Sequence, residues 1–101
     1  MIGKLEELVL LAVIKTGSNA VPSAIFETFS SSSDQGDLAS FGAVYTTLDR
    51  LSKKGLVDVK NQLDDNGRKR KFYEINSNGR LEVKMSINRS INLGGLILAG
   101  A

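Results

Sequence analysis

Apolar residues recur at helical spacing over residues 5–15, where Leu5, Leu8, Val9, Ala12 and Val13 share one stripe. Glu6 and Glu7 stand in the first turn and Lys15 in the last, the polarity a helix dipole favours. Gly17-Ser18-Asn19 stops this helix. Pro22 suits the first turn of a second helix, because its φ is locked and its missing N–H is not needed there. That helix presents Ala24, Ile25 and Phe29 as an apolar stripe. SSSSDQGD (30–37) reads as a polar loop rather than a domain linker, since the later elements are needed to finish the core, and Leu38 is placed to add a short third strand. Ser40 is a good N-cap for a third helix over 41–54, with Gly55 as its stop. Residues 56–63 and 71–75 then alternate apolar and polar at period two, and Asn66-Gly67 between them signals a hairpin. Asn76 and Ser77 cap a last helix of about 77–93, which Gly94-Gly95 is expected to break. No internal repeat is present.

This order, three helices, a two-stranded hairpin and a fourth helix, predicts an α+β, mostly helical winged helix-turn-helix over 1–76, with a C-terminal dimerisation helix and tail over 77–101. Placing the third helix at 100° per residue puts Phe41, Val44, Leu48 and Leu51 on a core side. Gly42, Ala43, Thr46, Arg50 and Lys53 fall opposite, with Tyr45 and Thr47 on the flanks. An outward face so small and polar, entered at Ser40, suits close approach to base edges in a major groove, where Thr meets bases or a thymine methyl and Arg binds guanine. In the hairpin, Val57, Val59, Tyr73 and Ile75 form the body-facing set. Arg68, Lys69, Arg70 and Lys71 then spread around the tip, a shape suited to a minor groove or its flanking phosphates. Asp64 and Asp65 read as turn-forming residues that pair with these cations, not as catalytic carboxylates.

The last helix has two apolar faces. Leu81 and Met85 lie on one, continued by Asn88 and Asn92, while Val83, Ile87 and Ile91 lie on the other. A helix apolar on both sides predicts packing on its own domain and on a second subunit, against the first helix. The expected interface set is therefore Leu5, Leu8, Leu81, Met85, Ile87 and Ile91.

Charge and composition narrow the chemistry. The net charge of +2 hides a segment, 50–71, with eight cations against three acids, leaving the remainder at −3. One basic face on an otherwise acidic body fits a polyanion such as double-stranded DNA. No cysteine is present, so neither a disulfide framework nor a thiolate zinc site is available and a reducing cytoplasmic setting is expected. Apolar runs fall short of the roughly 20 residues a membrane span needs, so no membrane partner is expected. With no His or Cys, and no Gly-rich phosphate loop, neither catalysis nor a cofactor is expected. The competing reading is a winged helix used for protein binding without DNA.

GAVYTTLDRLSKKGLV (42–57), followed by GRKRKFYEINSNGR (67–80), closely resembles the PadR family of bacterial transcriptional regulators, and ELVLLAVIKTG (7–17) is similar to that family's first helix. The resemblance covers about residues 3–92, and GAVYTTLDRL is its most specific part. It implies a winged-helix DNA-binding domain, a dimerising C-terminal helix as in the short subfamily, and repression of a nearby promoter through a pseudo-palindromic operator. It places Tyr45, Thr46, Thr47 and Arg50 on the reading helix and Arg68 to Lys71 on the wing. Many relatives open the second helix with Ala-Tyr-Gly, where this chain has Ala20-Val21-Pro22. Some short relatives hold flat drug-like molecules on tryptophan, which this chain lacks, so the resemblance does not identify a small-molecule effector.

Overall fold

The computed structural model describes residues 2–32 and 39–100, with the side chains of Asn19 and of 90–100 outside the description. Four helices and one hairpin follow the expected order: α1 (Lys4–Thr16), a 3-10 turn (Gly17–Asn19), α2 (Pro22–Ser30), α3 (Phe41–Lys53), β1 (Val57–Leu63), β2 (Lys69–Ile75) and α4 (Ser77–Gly100). Leu38 lies outside the described residues. Ala20, between the 3-10 turn and α2, accepts a hydrogen bond from the Tyr73 N–H at its carbonyl, at 2.9 Å.

α1 is the central helix. Leu8, Val9, Leu10, Ala12 and Val13 are buried, packed with Ile25 and Phe29 of α2, Val44, Leu48 and Leu51 of α3, Tyr73 and Ile75 of β2 and Val83 of α4. The Thr16 hydroxyl donates to the Thr28 hydroxyl at 2.9 Å and so links the facing sides of α1 and α2. Two expectations for α3 are overturned. Phe41 is 44% exposed rather than core, and Thr47, placed on a flank, is 2% exposed. Thr47 can be buried because its hydroxyl donates to the Ala43 carbonyl at 2.8 Å, which leaves no orphaned polar group. Phe41, as the first helical residue, stands beyond the reach of the layer that Val44 begins.

β1 and β2 pair antiparallel, with Val57 opposite Ile75 and Val59 opposite Tyr73, so the body-facing set is as expected. Lys69, expected in the turn, pairs with Leu63 inside the ladder. The loop is Asp65–Gly67: the Gly67 N–H donates to the Asp64 carbonyl at 3.0 Å and the Asp64 N–H to the Arg68 carbonyl at 2.8 Å. Gly67 at φ 77 closes it, the three-residue pattern whose last position favours glycine. α4 begins at an Asn76 cap, whose Oδ1 accepts from the Gly79 N–H at 2.9 Å. It runs on through Gly94-Gly95 to Gly100, so the expected break does not occur. Glycine costs a helix about 1 kcal/mol per residue but does not forbid it. Among the described residues no helix is long and apolar enough to cross a membrane.

Candidate nucleic-acid interface

Ser40 starts α3 as an N-cap, its hydroxyl accepting from the Ala43 N–H at 3.2 Å. From there the helix turns Gly42, Tyr45, Thr46, Asp49, Arg50 and Lys53 outward, with Ala43 half-buried. Lys53 is paired with Asp49 one turn back at 3.1 Å, both well exposed, so the pair is worth little and Lys53 remains available. Thr47 is the member of the expected reading set that the fold withdraws from the surface.

The wing is pinned at its root and tip. At the tip, Asp64 Oδ1 accepts from the Asn66 and Arg68 N–H groups, both at 2.9 Å. The Arg68 N–H bond, with Asn66 and the Arg70 charge, holds this carboxyl below the usual aspartate range despite partial desolvation. Arg70 does not hang free. Its guanidinium lies 3.5 Å from Asp64 Oδ2 and donates to the Ser23 hydroxyl at 3.4 Å, which ties the wing to the start of α2. Arg68, Lys69 and Lys71 are exposed. At the root Tyr73 is buried and its N–H donates to the Ala20 carbonyl at 2.9 Å, and burial, with the nearby Tyr45 and Asp49, pushes its hydroxyl up to about 12.

Helix and wing meet at a shallow trough of about 350 Å³, lined by Ser23 of α2, Phe41 and Tyr45 of α3, and Lys69, Arg70 and Lys71 of β2. The fold therefore brings the start of α3 beside the wing cations, while Arg50 and Lys53 stand exposed in the last turns of the helix. Sequence patterning gives no sign of Ser23 as a partner of Arg70, or of Phe41 as a surface residue.

Behind this surface lies a pair of buried carboxylates. Glu6 Oε1 accepts from the Gly3 N–H at 3.0 Å, and Glu6 Oε2 lies 2.7 Å from Lys54 Nζ at the end of α3. Burial acts to raise the Glu6 pKa, but the Gly3 N–H, Lys54 and the Arg50 charge outweigh it and hold the group below its ordinary value. Glu7 takes a hydrogen bond from the Ser86 hydroxyl of α4 and an ion pair from Lys4 at 3.3 Å. Adjacent residues of α1 thus hold the end of α3 and the last helix.

Of the expected interface set, Leu81 and Met85 face outward, 55% and 40% exposed. Leu5 is half-buried. Leu8 belongs to the core, and Ile87 packs partly buried against it. The Ile91 side chain lies outside the described residues. Among the described residues no cluster of His, Cys, Asp or Glu could hold a metal ion.

Comparisons with known proteins agree with this geometry. The family model described as the transcriptional regulator PadR-like family matches residues 10–85. The fold is similar to a PadR family transcription regulator from Clostridium difficile R20291, at 16% identity and a TM-score of 0.77, covering 94% of this chain and 95% of that one. It is also similar to a PadR-like transcriptional regulator from Bacillus cereus, at 20% identity and a TM-score of 0.71, covering 95% and 88%. A transcriptional regulator from Clostridium thermocellum aligns at 16% identity with a TM-score of 0.74, covering 96% and 95%. No curated protein sequence matches the chain. The family match spans most of the chain and includes α3, the hairpin and the start of the last helix, so the chain belongs to the PadR-like family of transcriptional regulators.

Proposed function

We propose that this regulator is a cytoplasmic homodimer that binds a pseudo-palindromic operator and represses the adjacent promoter. Each subunit lays α3 in a major groove, with Ser40, Gly42, Ala43, Tyr45, Thr46 and Arg50 toward the bases and Lys53 toward a phosphate. Arg68, Lys69 and Lys71 grip the flanking backbone, while Arg70 keeps the wing at its angle through Ser23 and Asp64. Leu81 and Met85 of α4 form the seam between subunits. The observation that carries this reading is the shared trough, where the first turns of the reading helix and three consecutive wing cations face one depression.

The test is binding of the duplex upstream of the protein's own gene, followed by fluorescence anisotropy from 50 to 300 mM salt, roughly the range over which phosphate contacts dominate. Wild type is expected to bind with an affinity that falls steeply with salt. The triple variant Arg68→Gln, Lys69→Gln, Lys71→Gln should fold normally, bind weakly, and show a log–log slope flatter by about 0.9 for each phosphate no longer neutralised. A folded protein with no salt-sensitive affinity for that duplex would overturn the reading.

A further inference from the structure

Phe41 stays 44% exposed at the start of α3, although burying a ring of this size is worth about 2 kcal/mol. It is not loose. The ring stands edge-on to Phe26, with centroids 5.5 Å apart at 85°, and 6.3 Å from Tyr45 at a tilt of 43°. Phe26 is itself packed against the core, so Phe41 is braced from behind with its outer surface free.

Lys69, Arg70 and Lys71 line the same trough as Phe41 and Tyr45. Three cations beside an apolar patch disfavour a second copy of the same patch and complement a polyanion. A DNA duplex offers both features at once: phosphates for the cations, and thymine 5-methyl groups as the apolar element of the major groove. The N-terminal turn of a reading helix is the part that comes nearest to base edges. Because Phe26 and Tyr45 already restrain the ring, contact costs little side-chain freedom.

We propose that Phe41 is a specificity-determining residue that reads one thymine per half-site through its 5-methyl group. The inference rests on the DNA-binding reading above and adds a base preference to it. The test starts by selecting duplexes from a random library with wild-type protein. The selected duplex is then synthesised with uracil in place of thymine at one position at a time. At one thymine per half-site, uracil should weaken wild type roughly fourfold, the value of one buried methyl. Phe41→Ala should bind the thymine duplex more weakly and be indifferent to uracil there, whereas Phe41→Leu should keep part of the discrimination. Additive losses from uracil and from Phe41→Ala, or no uracil-sensitive position, would overturn the role of Phe41 while leaving DNA binding intact. Failure of wild type to select any duplex would overturn both.

Discussion

Gly79 has no room for a side chain. A Cβ there would stand 2.2 Å from the Leu56 carbonyl oxygen and 2.7 Å from Ile75 Cγ1. The same Leu56 oxygen accepts the Asn76 N–H at 3.3 Å, so backbone must shift to make space. Helix propensity alone favours alanine over glycine by about 1 kcal/mol. Overpacking against a fixed backbone is the larger effect, and Gly79→Ala should lower stability by about 2 kcal/mol in urea denaturation. A stabilised variant would show that α4 is not seated this closely on the hairpin root. Nothing in the sequence around Gly79 announces this, because a helical wheel records faces and not approach distances. The same blindness explains Phe41 and Thr47. Angular position favours Phe41 as core, but its place in the first turn leaves it exposed, while Thr47 is buried because its hydroxyl has a carbonyl one turn back. Ser40 and Asp64 were legible, since their roles are local: each accepts hydrogen bonds from N–H groups within four residues.

Among the elements, α1 carries more than its apolar stripe suggests. Glu6 and Glu7 look like ordinary first-turn acids, yet they are 7% and 4% exposed and contact α3 and α4. Their partners lie 48 and 79 positions away, beyond any periodicity rule. Glu6→Gln would keep the acceptor for Gly3 but lose the charge facing Lys54, at a cost of about 1–2 kcal/mol at neutral pH, since Lys54 stays partly solvated. The pH sign follows from the lowered Glu6 pKa. A carboxyl depressed in the native state stabilises at every pH above its unfolded value and loses that contribution as pH falls through the folded one. The stability gap between wild type and Glu6→Gln should therefore be constant from neutral pH to its ordinary value of 4.5 and shrink below it. A gap that widens in acid, in denaturant titrations at several pH values, would contradict the ion pair. Helices and hairpin were legible because period and caps fix them locally. The bond from the Tyr73 N–H to the Ala20 carbonyl was not, since no side-chain pattern encodes a single backbone hydrogen bond.

On the scale of the whole molecule, charge and shape agree. Of the basic segment 50–71, Lys69, Arg70 and Lys71 line one trough with the start of α3, whereas Lys54 pairs with Glu6 and Lys60 with Glu74, and the chain extends 57 Å along its longest axis with α4 running to Gly100. Leu81 and Met85 on the outer side of α4 are exposed, and the proposed two-fold dimer requires its two copies of α3 to meet successive major grooves about 34 Å apart. The winged-helix class was legible from the order of elements, whereas the closeness of helix and wing needed the Ser23–Arg70 contact and the trough that Phe41 and Tyr45 share with Lys69, Arg70 and Lys71. The most direct measurement is dimethyl sulfate protection of guanine N7, a major-groove atom, on the duplex the protein selects. The account predicts guanine N7 protection in two half-sites centred about 10 base pairs apart. A single protected site, or bound DNA with no guanine N7 protected, would contradict it.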